Sequence, residues 1–234
     1  MGMVIMGWED KYSNPDTWAK QREKITLVCT SNNIDKSYVH KMLLSAKGFD
    51  RTVLHYDGGA IHLNNAIIVG PPPMNIPDAY NLLIENFVNT EWVCCFCDDD
   101  YFYPEGLSKM ISEVHTGIDA DVAHFKFHVS GHIPRQDYRG RIFKAITGKS
   151  EYDLCEKQPI TPELLARHNR LPAGSFFRKS AWKKAGGFQG DKCHDWNLWK
   201  RMAEAGCKFK YFDVMVYNMV RRPNSAWFKQ HAKG

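Results

Sequence analysis

Three consecutive acids, Asp98, Asp99 and Asp100, directly follow an apolar, cysteine-rich run at residues 92–97. Adjacent carboxylates repel one another and resist burial, so their surroundings must offset the charge. Water around a turn at a strand end is one way to do so. A hard divalent cation is the other, because Mg²⁺ and Mn²⁺ prefer carboxylate oxygens and keep positions for the phosphates of a substrate. The three acids alone leave both interpretations open.

The seven cysteines predict a reducing compartment, because their number is odd and three of them crowd at residues 94, 95 and 97. Cys94 and Cys97 have the C-x-x-C spacing of zinc ligands, but a strand would turn their side chains to opposite faces. The sequence contains no second such pair. We therefore predict that these cysteines are compact core residues and not metal ligands.

The bulk composition argues against a disordered chain and against a membrane-spanning one. Hydrophobic residues make up 44% and charged residues 24% of the 234 residues, as in ordinary globular proteins. No apolar run approaches the roughly 20 residues of a membrane span. The N-terminus lacks the basic start and long apolar core of a signal peptide. We expect a soluble protein in the cytoplasm, or in the host cytoplasm if it is encoded by a phage.

The net charge of +5 is unevenly distributed. Residues 126–149 contain six Lys or Arg against one acid, and residues 208–234 contain the same numbers. Both segments also carry aromatic residues, a combination that can bind the phosphates of a nucleotide or of a nucleic acid. A solvated charged surface is the simpler interpretation of any single lysine.

Strand and helix patterns alternate through the first half of the chain. Apolar runs predict strands at residues 25–33, where the run ends in turn formers, and at residues 51–56, 91–97 and 120–129. Helical periodicity appears at residues 35–46, 78–89 and 104–115. This order predicts an α/β fold with a doubly wound, mostly parallel sheet. Ligands of such sheets bind beyond the carboxyl ends of the strands, where the acids fall.

The second half has weaker patterns at first. Residues 130–148 are basic and without clean periodicity, so we predict a mobile loop or a β-excursion near an acceptor. Residues 171–188 predict a strand that leads into a short helix ended by Gly186 and Gly187. Residues 195–206 predict an amphipathic helix, and residues 207–220 a strand.

The order of these motifs resembles the family-2 glycosyltransferases of the GT-A fold over about residues 24–225. ITLVCTSNN resembles the family's opening strand and nucleotide-edge loop, and VLHYDGG its second strand. NTEWVCCFCDDDYFYPEGL resembles the strand that carries the D-x-D motif. AGSFFRKSAWKKAGGF and HDWNLWKRMAEAG resemble the acceptor-side block.

The resemblance implies the GT-A, or nucleotide-diphospho-sugar transferase, fold: a mostly parallel central sheet flanked by helices, with a smaller acceptor-side β element. It implies one domain over residues 1–234. The nucleotide-sugar-binding half would span residues 24–128 and the acceptor-side half residues 129–225. Residues 1–23 and 226–234 would be terminal extensions.

The resemblance also assigns roles to residues. Asp98 and Asp100 would form the metal site, with Asp98 also near the donor ribose, whereas Asp99 is expected to point the other way. Asp195 would be the catalytic base, and His194 stands beside it where the family usually has Glu. The residues expected to bind the donor are Thr30, Asn32, Asp57, Asp98, Asp99, Arg178, Arg221 and Arg222.

The implied reaction is metal-dependent transfer of a sugar from a nucleotide-diphosphate sugar, with inversion, to an acceptor hydroxyl. Such a reaction needs a cation to neutralise the leaving diphosphate, here Mn²⁺ or Mg²⁺. It also needs a base for the acceptor hydroxyl and a donor held in line with it. A UDP-sugar is the expected donor, and the acceptor is left open between a glycan and the hydroxylated bases of DNA.

The sequence leaves alternative roles open for several of these residues and alternative functions open for the chain. Asp195 precedes a periodic helix and could be its N-cap, and Asp57 could be a turn residue. Trp196 and Trp199 lie on the apolar face of the predicted helix, which favours a core position over a sugar platform. A non-catalytic nucleotide-sugar-binding protein would share the same fold. Nucleotidyl transfer is disfavoured because CTSNNIDKS is not a glycine- and lysine-rich loop.

Overall fold

The computed structural model describes residues 23–31, 36–56, 66–69, 75–131, 145–146, 149–152, 159–169, 171–190 and 193–221. The strands are β1 Ile25–Ser31, β2 Arg51–Tyr56, β3 Ala66–Val69, β4 Trp92–Cys97, β5 Tyr101–Phe102, β6 Val122–Gly131, β7 Ala145–Ile146, β8 Lys149–Tyr152, β9 Phe176–Arg178 and β10 Phe209–Arg221. The helices are α1 Lys36–Ser45, α2 Ile76–Phe87, α3 Pro104–Thr116, α4 Pro162–Arg167, α5 Lys179–Lys184 and α6 His194–Glu204.

The strands form one sheet in the order β3-β2-β1-β4-β9-β6-β10-β5. Strands β1 to β4 run parallel to one another, and β6 runs parallel to β10. Between these two groups, β9 is antiparallel to both β4 and β6. The predicted α/β class with helices around a mostly parallel sheet is confirmed. The antiparallel pair of β7 and β8, which extends β6, matches the expected smaller β element in position.

Two hydrophobic clusters cover the two faces of the sheet. Side chains alternate along β1, so that Leu27 and Cys29 join the cluster with α1 and α3, whereas Val28 joins the cluster with α2, α5 and α6. Trp199 is fully buried in the second cluster, as the core interpretation predicted. Trp196 is half-buried, and its Nε1 donates to the carbonyl of Leu165 at 2.7 Å.

Three short elements were not predicted from the sequence, namely β3, β5 and α4. Runs of four and two residues are too short to show a period of two, so β3 and β5 depend on pairing with distant strands. α4 has only six residues, but it begins with a recognisable signal. The Thr161 hydroxyl accepts from the N–H of Leu164 at 3.2 Å, and Pro162 stands at the first helical position.

Close backbone contact holds the start of α3 against β10. The N–H of Tyr103 donates to the carbonyl of Val216 at 2.7 Å. A Cβ atom at Gly106 would lie 1.8 Å from the carbonyl oxygen of Met215. Only glycine permits this approach, which fixes the segment between Asp100 and α3 at the edge of the sheet.

Gly106→Ala should destabilise the protein by at least about 2 kcal/mol, because the added methyl group collides with backbone that cannot yield. In an open helix the same change would stabilise by up to about 1 kcal/mol. Urea unfolding measures the difference. The matched control is Ser108→Ala, an exposed position of the same helix, where we expect a change within about 0.5 kcal/mol. A neutral or stabilising Gly106→Ala would contradict the packing of α3 on β10.

Candidate functional site

The acids after β4 are tethered to two other strands of the sheet, β1 and β10. Thr30 and Cys97 are level with each other where β1 and β4 end. One residue further along each chain, the Ser31 hydroxyl donates to Asp98 Oδ2 at 2.6 Å. On the other side, the N–H of Val220 in β10 donates to Asp100 Oδ1 at 2.7 Å. The carboxylates are therefore held at the carboxyl edge of the sheet, where the sequence predicted a site.

A compact group of possible metal ligands lies at this edge. One ligand atom each from Cys97, Asp99 and Asp100 lies within 4.8 Å of the other two. Asp100 is 4% exposed, so a cation placed beside it would be partly shielded from water. Two carboxylates suit a hard divalent cation, which completes its coordination with water and substrate oxygens. Cys97, Asp99 and Asp100 are called the acid cluster below.

The composition of the acid cluster differs from the expected pair of Asp98 and Asp100. That expectation assumed that side chains would keep alternating beyond the strand. The chain instead turns at Asp98 and Asp99, which brings Asp99 beside Asp100. Cys97 also departs from the expected core role, because it is exposed at the end of β4, whereas Cys94 and Cys95 are buried in the core.

The thiol of Cys97 stays protonated at neutral pH. The residue as a whole is exposed, but desolvation of its thiol raises the pKa well above the ordinary value, and the charges of Asp100, Asp99 and Asp98 raise it further. Without a bound metal, the acid cluster therefore presents two carboxylates and a neutral thiol.

Tyr80 connects this edge with the start of α6. Its hydroxyl donates to the carbonyl of Phe96 at 3.0 Å. Burial raises the pKa of Tyr80 well above the ordinary value, and a side-chain hydrogen bond with Thr30 lowers it in part. The Tyr80 ring lies 5.2 Å from the ring of Phe188 and 6.0 Å from that of His194. Thr30 and His194, both predicted site residues, are thus linked through one buried tyrosine.

The start of α6 presents His194 and Asp195. The N-cap position is held by Cys193 in a left-handed conformation with φ of 50°, and no side chain caps the helix. Asp195 lies inside the first turn, so the interpretation of Asp195 as the N-cap is wrong. Its Oδ2 accepts from Asn169 Nδ2 at 3.4 Å. Burial lowers the pKa of His194, and Asp195 partly opposes this shift, so the imidazole is neutral at pH 7.

Charges of the acid cluster and of Asp195 both influence one group, the hydroxyl of Tyr217 in β10. Burial raises the pKa of Tyr217 well above its ordinary value, followed by the charges of Asp100, Cys97 and Asp195. Asp100 and Asp195 therefore both act on this one hydroxyl, although 95 residues separate them in the chain. Their approach could not be read from the sequence.

Arg178 does not join the other predicted donor-binding residues. Because β9 is antiparallel to β4, Arg178 pairs with Trp92 at the opposite end of β4 from the acids. Its guanidinium forms an ion pair with Glu91, stacks over the Trp92 ring at 4.8 Å, and donates to the carbonyls of Ala120 and Ile118 at 2.8 and 2.9 Å. The placement explains Arg178 as a structural residue.

The remaining predicted residues are only partly described. Arg221 is the last residue of β10 and directly follows Val220, so its backbone lies beside Asp100. Asn32, Asp57 and Arg222 lie outside the described residues. Three groups at the site were missed by sequence reasoning, namely Tyr80, Asn169 and Tyr217. Only long-range contacts identify them.

Comparison with known proteins detects similarity in structure alone. No protein-family profile and no curated protein matches the chain. A crystal structure of S. aureus TarS 1-349 matches with a TM-score of 0.60 and 13% identity over 84% of this chain and 60% of that one. TarS 1-349 in complex with UDP-GlcNAc matches with a TM-score of 0.62, 14% identity and coverage of 86% and 60%. Full TarS matches at 0.60 and 14%, over 86% of this chain and 37% of that one.

These neighbours show that the fold is a GT-A-like glycosyltransferase fold, as expected from the sequence. The chain spans 60% of the length of the TarS fragment, so similarity extends to only part of that protein. Among the described residues, no helix has the length and apolar character needed to cross a membrane.

The Cys97 thiol should react slowly with iodoacetamide at pH 8, at least about tenfold slower than the same cysteine in the urea-unfolded protein, because the thiolate is suppressed. Peptide mass spectrometry measures the rate. Asp99→Asn removes one of the responsible charges and should accelerate the reaction, whereas Asp119→Asn, an exposed acid of another loop, should not. A Cys97 that reacts in the folded protein as fast as in the unfolded one would contradict the described electrostatics.

Proposed function

We propose that this protein is a metal-dependent glycosyltransferase that moves a sugar from a nucleotide-diphosphate sugar to an acceptor hydroxyl. The observation that carries the proposal is the acid cluster at the carboxyl edge of the sheet, where Asp99 and Asp100 lie close together. A GT-A-like fold supports it, because ligands of open α/β sheets bind at this edge. A uridine nucleotide is the first donor to test, since one structural neighbour was solved with UDP-GlcNAc.

Asp99 and Asp100 would hold the cation, Mn²⁺ or Mg²⁺, with Cys97 as a neutral neighbour. When bound, this cation would offset the charge of the diphosphate as it leaves. Asp98 is anchored by the hydroxyl of Ser31, the last residue of β1. We propose that its carboxylate contacts the donor ribose. Thr30 lies level with Cys97 and lines the same edge. Arg221 continues β10 beside Asp100 and is proposed to contact the diphosphate.

Asp195 is proposed as the base that accepts the proton of the attacking hydroxyl. The amide of Asn169 orients one oxygen of its carboxylate and leaves the other for a substrate. The neutral imidazole of His194 adjoins it and can share the proton or contact the acceptor. Direct displacement by the hydroxyl would invert the anomeric centre, which is the outcome we propose.

A thermal-shift screen of UDP-, GDP- and TDP-sugars, with and without Mn²⁺, tests the proposal. We expect at least one nucleotide sugar to stabilise the protein only when Mn²⁺ is present, because the cation and diphosphate bind as one unit. Asp99→Asn and Asp100→Asn should each weaken this stabilisation at least about tenfold in apparent Kd. Asp119→Asn serves as the matched control, because that carboxylate is 92% exposed and its ion pair in the described part of the chain is with the exposed Lys208.

Asp195→Asn separates chemistry from binding in the same experiment. It should keep the Mn²⁺-dependent stabilisation and lose turnover of the nucleotide sugar by at least about 100-fold, as expected for removal of a general base. No stabilisation of the wild-type protein by any nucleotide sugar would refute the proposed function. Full turnover by Asp195→Asn would refute the base assignment alone.

A further inference from the structure

Tyr217 carries a buried hydroxyl that the proposed mechanism does not use. The residue is 0% exposed, and its ring stacks on Phe127 with centroids 5.4 Å apart and meets Phe96 edge-on at 5.1 Å. Gly174 makes room for these rings, because a Cβ there would lie 2.8 Å from Phe96 and 3.6 Å from Tyr217. Phenylalanine would satisfy all of this ring packing.

The hydroxyl of Tyr217 has no hydrogen-bond partner among the described residues. Leaving such a group unsatisfied in the interior is unfavourable, and buried tyrosines normally find a partner. Two other tyrosines nearby follow that rule. Tyr80 donates to the carbonyl of Phe96 at 3.0 Å, and the Tyr103 hydroxyl bonds to Nδ1 of His128 at 2.8 Å. Tyr217 is therefore a local exception that the fold itself does not explain.

The position of Tyr217 relates this hydroxyl to the site. Tyr217 pairs with Phe102, two residues after Asp100, and Val220, three residues later in β10, bonds to Asp100. Burial raises the pKa of Tyr217, and the charges of Asp100, Cys97 and Asp195 raise it further. The phenol therefore remains protonated and can donate a hydrogen bond. The hydroxyl lies within reach of the charges of both the proposed metal ligands and the proposed base.

We propose that the Tyr217 hydroxyl donates a hydrogen bond to a neutral hydroxyl oxygen of the substrate, on the transferred sugar or on the acceptor, and thereby helps to select it. The inference rests on the proposed function. A neutral oxygen fits better than a phosphate, because the negative charges of Asp100 and Asp195 act on the phenol and repel a further anion. Tyr217 would thus contact the part of the substrate that reacts, whereas the cation binds the part that leaves.

The hydroxyl is enclosed in the described structure, so the proposed contact is made either by a substrate oxygen that enters the carboxyl edge of the sheet or through one bridging water. In both cases the Tyr217 hydroxyl donates the hydrogen bond, either to the substrate oxygen or to the bridging water, since a buried water also needs polar partners. Loss of the hydroxyl should therefore weaken substrate recognition by either route.

Tyr217→Phe tests the inference in the full chain. Without ligand, the variant should melt at the same temperature as the wild type or higher, because an unsatisfied group is removed. Tyr80→Phe is the matched control and should melt lower, because its hydroxyl is bonded. In the presence of methyl glucoside as acceptor, Tyr217→Phe should lower kcat/KM by about 3- to 10-fold. The donor in this assay is UDP-GlcNAc, or the nucleotide sugar that stabilises the wild type most.

Two arms identify the oxygen that is bound. If it belongs to the donor sugar, Tyr217→Phe weakens stabilisation by the nucleotide sugar but not by the nucleoside diphosphate alone. If it belongs to the acceptor, stabilisation by the nucleotide sugar and by the nucleoside diphosphate stays as in the wild type, and so does hydrolysis of the nucleotide sugar. The increase in turnover that added methyl glucoside gives as an acceptor then falls in Tyr217→Phe. The inference would be overturned if Tyr217→Phe matched the wild type in all three readouts, namely nucleotide-sugar stabilisation, hydrolysis and the rate increase given by methyl glucoside. A melting temperature lowered like that of Tyr80→Phe would also overturn it. A wild type without nucleotide-sugar binding instead refutes the proposed function.

Discussion

One hydrogen bond between distant parts of the chain sets the geometry of the site, from the N–H of Val220 to Asp100 at 2.7 Å. A carboxylate that is 4% exposed needs such a donor, because water cannot solvate it fully. The bond ties the end of β10 to the end of β4, and the close packing of Gly106 on Met215 secures the intervening segment. Acids that would repel each other in a free loop are thereby held together.

The two faces of the sheet contribute different parts of the site. The segment after β4 supplies the carboxylates at the edge, held by donors from β1 and β10, whereas α6 supplies His194 and Asp195 from the second face. Tyr80 and Tyr217 lie between them, one with its hydroxyl bonded and the other with its hydroxyl unpaired among the described residues. The charges of Asp100 and Asp195 both act on Tyr217, so the candidate cation site and the candidate base that sugar transfer requires share one neighbour.

Local sequence patterns were sufficient for the central strand, for the acids at its end and for the helix that begins at His194. Each depends on hydrophobic periodicity or on residues adjacent in the chain. The patterns failed where tertiary contacts decide. The turn at Asp98 and Asp99 brought Asp99, and not Asp98, into the group with Asp100, and the antiparallel register of β9 carried Arg178 to the far end of β4. Strand alternation could not foresee either outcome, because it says nothing about turns or partner strands.

The location of the cation and the nucleotide is the most direct test of the central claim. A crystal structure with Mn²⁺ and a uridine nucleotide sugar, with data collected at the manganese absorption edge, would show both. We expect one anomalous peak bound by Asp99 and Asp100 and by the diphosphate, with the sugar directed towards Asp195. A nucleotide bound elsewhere, or manganese without contact to the acid cluster, would contradict the proposed site.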